Sequence, residues 1–315
     1  MRTRRHTVAA GLAMIIGGAA ACGGGGAAEP AALPTGATYA AEVEAWRAKH
    51  EASYTLNYST IAGLYRLKPG VNTAGSDAGH DVVLPAPVPA SIGHFVLDDG
   101  AVRFEPDAGA PVRLRDAPVT APVVLRDDSA AEVDELFIDD VRLVVHASGD
   151  QQLIRVRDPN GPLATGFLGF TWFPIDEQYR VTGKWIADAA PAPVRVPNTF
   201  GDLDEFTTEG VVEFGLLGQT VRLRPVTTRP NRLWFVFRDG SSGQETYEAA
   251  RFLYADLRAD GSVVLDFNQA YNPPCAFNPY TTCPIPLPEN RLTSIRILAG
   301  EQAYPVKVPL AVDLP

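Results

Sequence analysis

The stretch "GVVEFGLLGQTVRLRPV", residues 210–226, decides the fold class. Two β-type runs stand on either side of Leu217-Gly218, a pair suited to a tight turn. The same signal recurs through the second half of the chain in "RVTGKWIA", "PVRVP", "RLWFVFRD", "RFLYADL", "SVVLDFN" and "TSIRIL". Turns are expected at Asp239-Gly240 and Asp260-Gly261. Upstream, "IAGLYRL", "GHFVLD", "AVRFE", "PVRLR", "VRLVVHA" and "LIRVR" repeat it, with turns at Asp98-Asp99-Gly100 and Asn160-Gly161. Before them, "YAAEVEAWRAKHEA" (Tyr39 to about Ala52) places Ala41, Val43, Trp46 and Ala48 near helical spacing. The reading is a mainly β protein of two β-sandwich/barrel-like domains preceded by one amphipathic helix, spanning 38–164 and 165–315.

The N-terminus reads as an address rather than a fold. Arg2, Arg4 and Arg5 precede a short apolar run from Val8 to Ile16, and Gly17 to Ala21 are all small. That is the layout of a secretory signal over 1–21. Cys22 follows in "AAAC", which resembles a bacterial lipobox, so lipidation of Cys22 is expected, with 22–37 as a flexible Gly/Ala/Pro tether. A lipid anchor in the cell envelope follows as the localisation. Without the three signal arginines the chain keeps 24 basic residues (27 − 3) against 37 acidic ones, a net charge of −13. No basic cluster interleaved with aromatics remains, so nucleic acid is excluded as a partner.

The remaining two of the three cysteines, Cys275 and Cys283, sit in a proline-rich loop, "DFNQAYNPPCAFNPYTTCP". In an oxidising compartment they are expected to pair. Zinc is the competing reading, but no histidine follows His146, and two thiolates do not complete a tetrahedral site. No metal and no cofactor is expected. Pro273, Pro274, Pro279 and Pro284 stiffen the loop, which reads as a rigid lid over the sheet.

Standard catalytic motifs are absent: no G-x-S-x-G elbow, no H-E-x-x-H, no phosphate-binding loop. His50, His80, His94 and His146 all fall in the first half and read as structural. The polar residues of the second half are more suggestive. Arg238, Asp239, Thr246, Tyr247, Arg251, Asp266, Asn268 and Arg291 cluster in sequence around the cysteine loop. Arginines beside carboxylates and tyrosines could grip an anionic or hydroxylated ligand. They could equally form an internal network that fixes the loop over the sheet, and this is the preferred reading.

"FRDGSSGQETYEAARFLYADLRADGSVVLDFNQAYNPPCAFNPYTTCPIPLPENRL", Phe237 to Leu292, resembles the signature of a bacterial family known as domain of unknown function 1684. Its elements fall on Arg238-Asp239, Thr246-Tyr247, Arg251-Phe252-Leu253, Asp266 through Cys275 (which adds Tyr271 and Asn272) and Asn290-Arg291-Leu292. Ala250 stands where that family usually has Gly. Similarity extends upstream through "FPIDEQYRV" and "LYRLKPGVNTAGSD". The first half also resembles a forkhead-associated β-sandwich through Gly75-Ser76, Asp81-Val82-Val83-Leu84 and Ser91-Ile92-Gly93-His94. Ser76 replaces the phosphate-gripping arginine, which implies a scaffold without phosphothreonine binding.

The function expected from these features is an envelope lipoprotein that binds a small molecule or an envelope protein without catalysis. One alternative is a small hydrolase or transferase working through Asp239, Asp266 and Tyr247 with an arginine-lined anion site. A second is a protein-recognition module built on the forkhead-like sandwich.

Overall fold

Leu217 and Gly218 turn as their sequence context requires, both with positive φ (+48° and +78°), and join strands Leu203–Leu216 and Gln219–Leu223 into a hairpin. The computed structural model describes residues 33–308. The signal-like segment, Cys22 and most of the tether lie outside the described residues.

The first half holds two sheets. One has six strands, in the spatial order Ile61–Arg66, Gln151–Arg157, Val141–Ser148, Glu135–Ile138, Arg113–Leu114 and Ala117–Pro118. The other has five, in the order Val82–Val83, Gly70–Gly75, Gly93–Asp98, Ala101–Pro106 and Val123–Leu125. Phe95 and Phe104 from the second meet Leu136, Ile138, Leu143 and Ile154 from the first in one apolar cluster. The alternation of inward and outward residues along each strand makes this possible, since side chains repeat with period two. At about 25 cal/mol per Å² of buried apolar surface, this cluster is a main source of stability for the first half.

The second half repeats the logic with two four-stranded sheets. Gln219–Leu223, Leu203–Leu216, Arg180–Pro197 and Ser262–Asp266 form one. Val226–Arg229, Arg232–Asp239 and Arg251–Asp256 form the other, with Arg291–Leu292 added in parallel to Arg232–Asp239. Phe235 and Phe237 pack with Val212, Phe214, Val263, Leu265 and Phe267. The expected strands "RVTGKWIA" and "PVRVP" are one 18-residue strand whose register shifts between Ala187 and Ala192.

Two expectations are corrected. "TSIRIL" makes no strand, because the backbone of 295–299 bonds to buried side chains instead of a ladder, as described below. The helix is longer and faces differently than its sequence spacing implies. It runs Gly36–Tyr54 and continues as a π-helical turn over Thr55–Ser59. Ala41 and Ala48 are exposed, whereas Tyr39, Val43 and Arg47 are buried. The aromatic residues at every fourth position, Trp46, His50, Tyr54 and Tyr58, form a stripe that the alanine pattern concealed.

The cysteine loop lies over the second-half sheet, where Cys275, Ala276 and Cys283 pack with Val236 and Phe252. Cys275 and Cys283 form a disulfide, and Cys275, Ala276, Phe277 and Asn278 are buried. Asn278 Nδ2 donates to the carbonyls of Tyr58 and Ile61 at 2.8 Å each, tying the loop to the end of the helix and the start of the first strand. A loop without ladder partners has its polar backbone satisfied by side chains or it cannot be buried. Asn278 and Thr199 do that work here, Thr199 N donating to Cys283 O and Thr199 Oγ1 accepting from Cys283 N.

Candidate functional site

The sequence-selected polar residues separate into four environments. The most buried is the Asp239–Arg251 pair. Side-chain period along Arg232–Asp239 puts Asp239 on the same face as Phe235 and Phe237, and Arg238 on the opposite face with Trp234 and Val236. Arg251 is fully buried, its Nη1 lying 3.2 Å from Asp239 Oδ1, and its guanidinium carbon stands 5.5 Å from the Phe237 ring. Nη1 also donates to Ile297 O (3.0 Å) and Nη2 to Ala299 O. Asp239 accepts further from Ile297 N (2.6 Å), Ser241 N (3.3 Å) and Ser241 Oγ (3.0 Å). Ser241 Oγ lies 2.9 Å from Thr246 Oγ1. The ion pair thus takes the place of a neighbouring strand for the buried segment 295–299, which is why that segment needs no ladder.

A second environment joins the helix to the signature. Tyr39 Oη donates to Asp266 Oδ1 (2.8 Å) and accepts from Asn268 Nδ2 (2.8 Å), while the Arg180 guanidinium stacks 3.9 Å from the Tyr39 ring. Burial raises the Asp266 carboxyl against the pull of Tyr39, Asn268 and Arg180. Asn268 also bridges Asp176, receiving from its N–H and donating to its carbonyl, and its own carbonyl accepts from Arg47.

The third environment was not legible from the signature alone. Glu301 is buried, and its two oxygens accept from Asn272 N (3.1 Å) and Asn272 Nδ2 (3.0 Å). Desolvation pushes this carboxyl up to about 8, so it is protonated near neutrality. Gly300 makes the approach possible. Its φ is +81°, and a Cβ there would stand 2.2 Å from Ala270 O. Glu301 Oε2 lies 3.9 Å from His50 Nε2, and desolvation lowers that imidazole to about 4. His50 is enclosed by aromatic rings: Trp46 stacks at 4.9 Å, with Tyr54 at 4.1 Å, Tyr271 at 4.5 Å, Phe170 at 5.7 Å and Trp172 at 5.9 Å between centroids. Trp46, His50 and Tyr54 at intervals of four are the signal that could have found this cluster. It is a packed aromatic core around a neutral acid and a neutral imidazole.

Tyr247 marks the fourth. Its N–H donates to Asn272 Oδ1 (3.2 Å), which fixes the backbone, and the phenol runs into a buried position where its hydroxyl has no partner among the described residues. Burial raises this phenol, with Glu248 adding to the shift, so it stays neutral. Tyr247 and Thr246 line a cavity of about 160 Å³ together with Gly243, Glu248, Tyr304 and Lys307. Arg238 and Arg291 stand apart from all four environments, paired backbone to backbone across the parallel strands. Arg238 makes no ion pair among the described residues, and Arg291 reaches only Pro286 O at 3.5 Å.

Residues 165–302 match the model of the family described as "Protein of unknown function (DUF1684)". All four environments draw on residues inside the match. Among solved structures, the solution NMR structure of the uncharacterized protein from gene locus rrnAC0354 of Haloarcula marismortui is similar at 26% identity, covering 46% of this chain and 82% of that one, with a TM-score of 0.38. No curated protein matches the sequence.

Proposed function

We propose that this chain is an exported, lipid-anchored envelope protein whose second half binds a small polar molecule in the cavity beside Tyr247. The observation that supports binding is the cavity itself, lined by Tyr247, whose buried hydroxyl has no hydrogen-bond partner among the described residues. Leaving a buried hydroxyl unpaired costs on the order of 1–3 kcal/mol, a cost that a ligand accepting from or donating to it removes. Glu248 and Lys307 add one charge of each sign to the lining. A volume of about 160 Å³ lies below the roughly 300–1,000 Å³ of pockets for drug-sized ligands, so the occupant has few heavy atoms. Acid–base catalysis through Asp239, Asp266 and Tyr247 gains nothing from this geometry. Asp239 already receives four donors, Asp266 is held by Tyr39 and Asn268, and the three sit in different environments.

Tyr247→Phe is expected to melt at or above the wild-type temperature, because it removes an unpaired group and leaves the packing. Native mass spectrometry of protein isolated from its own envelope should show a small adduct on wild type that Tyr247→Phe loses. A clear loss of stability in Tyr247→Phe, or an adduct held equally by both proteins, would exclude the hydroxyl as the ligand contact.

The envelope address rests on Arg2 to Ala21 and on Cys22 after a run of small residues. No described helix is long and apolar enough to cross a membrane. Metabolic labelling with an acyl probe is expected to mark the protein, and Cys22→Ser to abolish the mark. An undiminished label in that variant would sink the anchor.

A further inference from the structure

A relay that no part of the family signature announces crosses from the first half of the chain to the cysteine loop. His146 Nδ1 lies 2.7 Å from Asp128 Oδ2, and His146 Nε2 lies 3.0 Å from Thr282 Oγ1. We propose that Thr282, His146 and Asp128 form a nucleophile–base–orienter relay that hydrolyses a small carboxylic ester.

Three steps lead to it. The first is the charge on Asp128. Burial works to raise its carboxyl, but the His146 imidazole, the Arg155 guanidinium (Nη1 to Oδ2, 3.0 Å) and the Ala147 N–H (3.1 Å to Oδ1) together hold it below the usual carboxylate range. Asp128 is therefore an anion and can only accept. The second step is the tautomer. In the neutral form of the ring, an acceptor-only group on Nδ1 means that this nitrogen carries the proton and Nε2 is the acceptor. The third is direction: Thr282 must then donate its hydroxyl proton to Nε2. That is the polarity a nucleophile needs from its base, and the arrangement of base and orienting carboxylate matches the general form of such sites.

Rigid elements hold each member. His146 sits within strand Val141–Ser148, paired to Leu153 in the neighbouring strand. Asp128 is pinned beside it by its N–H to Val145 O (2.9 Å). Thr282 lies between buried Thr281 and Cys283, the latter in the disulfide and bonded to Thr199. Thr282 is itself half-buried, unlike its two buried neighbours. The N–H groups of Thr281 and Thr282 donate to no other group among the described residues, which leaves them free for an oxyanion.

The chemistry closes without any further reactant than water. Thr282 Oγ bonds to the acyl carbon as its proton passes to His146 Nε2. The tetrahedral adduct collapses, the ester C–O bond breaks, and His146 returns the proton to the leaving alkoxide, releasing the alcohol. Water then adds to the acyl-threonine, giving a proton to His146. Collapse of that adduct breaks the bond to Thr282, whose oxygen recovers the proton as the carboxylic acid departs. One ester and one water become one acid and one alcohol. This site is separate from the Tyr247 cavity and does not rest on that reading.

The test uses the full mature chain with p-nitrophenyl acetate as probe. Wild type should release p-nitrophenol, Thr282→Ser should retain turnover, and Thr282→Val and His146→Gln should each lose about 10²–10⁴-fold. Asp128→Asn should lose a similar factor, because the imidazole then adopts the wrong tautomer. Trapped wild-type protein should carry acetyl on the peptide containing Thr282, and Thr282→Val should carry none. A merely structural threonine would move none of these readouts. No turnover by wild type, or Thr282→Val hydrolysing as fast as wild type, overturns the proposal. Should Thr282→Val fail to fold, an undiminished rate in Asp128→Asn overturns it equally.

Discussion

Arg251→Ala is expected to lower stability by about 3–5 kcal/mol, the range for removing one partner of a buried ion pair. Arg251 and Asp239 both have fully buried side chains, so no water replaces the lost guanidinium. The carboxylate would keep Ser241 and Ile297 as donors but lose its counter-charge, while the Ile297 and Ala299 carbonyls would lose theirs too. For a chain of this size the loss lowers Tm by on the order of 10 °C, measured by calorimetry at one pH. Asp239→Asn should be similarly costly, since it strands the guanidinium instead. The double variant Arg251→Met with Asp239→Asn should recover part of the loss, because neither charge is then left alone. A single Arg251→Ala variant melting within a degree or two of wild type would show that the pair is not the scaffold for segment 295–299.

The second large effect is a pH dependence centred on Glu301. Its folded-state value, about 8, stands above the ordinary 4.5 of a glutamate. The native state therefore favours the protonated form, and the stability tied to that proton is complete below about 4.5. It is lost as pH rises towards 8. His50 runs the other way. Desolvation depresses it from 6.5 to about 4, so its neutral form is favoured and stability is lost as pH falls from 6.5 towards 4. The two contributions oppose each other between about 4.5 and 6.5, and only Glu301 remains above that window. The groups that face Glu301 are Asn272, His50, Arg251 and Glu51, of which Arg251 stays charged and favours ionisation while Glu51 resists it. Wild type should lose about 2 kcal/mol of unfolding free energy between pH 6.5 and 8 from this group. Glu301→Gln should remove that slope in urea unfolding. It should be less stable than wild type at pH 6, where one Asn272 donor loses its acceptor, and should close the gap or pass it at pH 8. Equal slopes in the two proteins would refute a neutral Glu301.

The fold class was readable because it depends on local patterns. A strand half-buried on a sheet must alternate, and Leu217-Gly218 or Asp99-Gly100 must turn whatever surrounds them, so period and punctuation survive in the sequence. The strand "TSIRIL" has the right residues and still forms no ladder, because the partner of its backbone is Arg251, distant in sequence. The helix was legible as a helix, but its buried face only in part. Of the expected face Val43 and Trp46 pack while Ala41 and Ala48 are exposed, and the packing face is completed by Tyr39, His50 and Tyr54, which meet partners from residues 170 to 301.

The candidate residues divide along the same line. Arg251 and Asp239 stood out among the polar residues around the cysteine loop, and Cys275 with Cys283 as an oxidisable pair, because residue chemistry alone limits what such groups can do when buried. Glu301, Thr282 and Asp128 gave no such sign, being ordinary residues in ordinary contexts. Sequence by itself determined the β period, the turns, the helix, the export-like start and the family of the second half. Tertiary structure alone decided that Asp239 pairs with Arg251, that Asn272 meets Glu301, and that Thr282 meets His146 across 136 positions of chain. The physical reason is range. Strand and turn preferences are set by neighbours within a few residues, whereas desolvation, ion pairing and tautomer choice are set by whichever groups the completed sheets bring within about 4 Å.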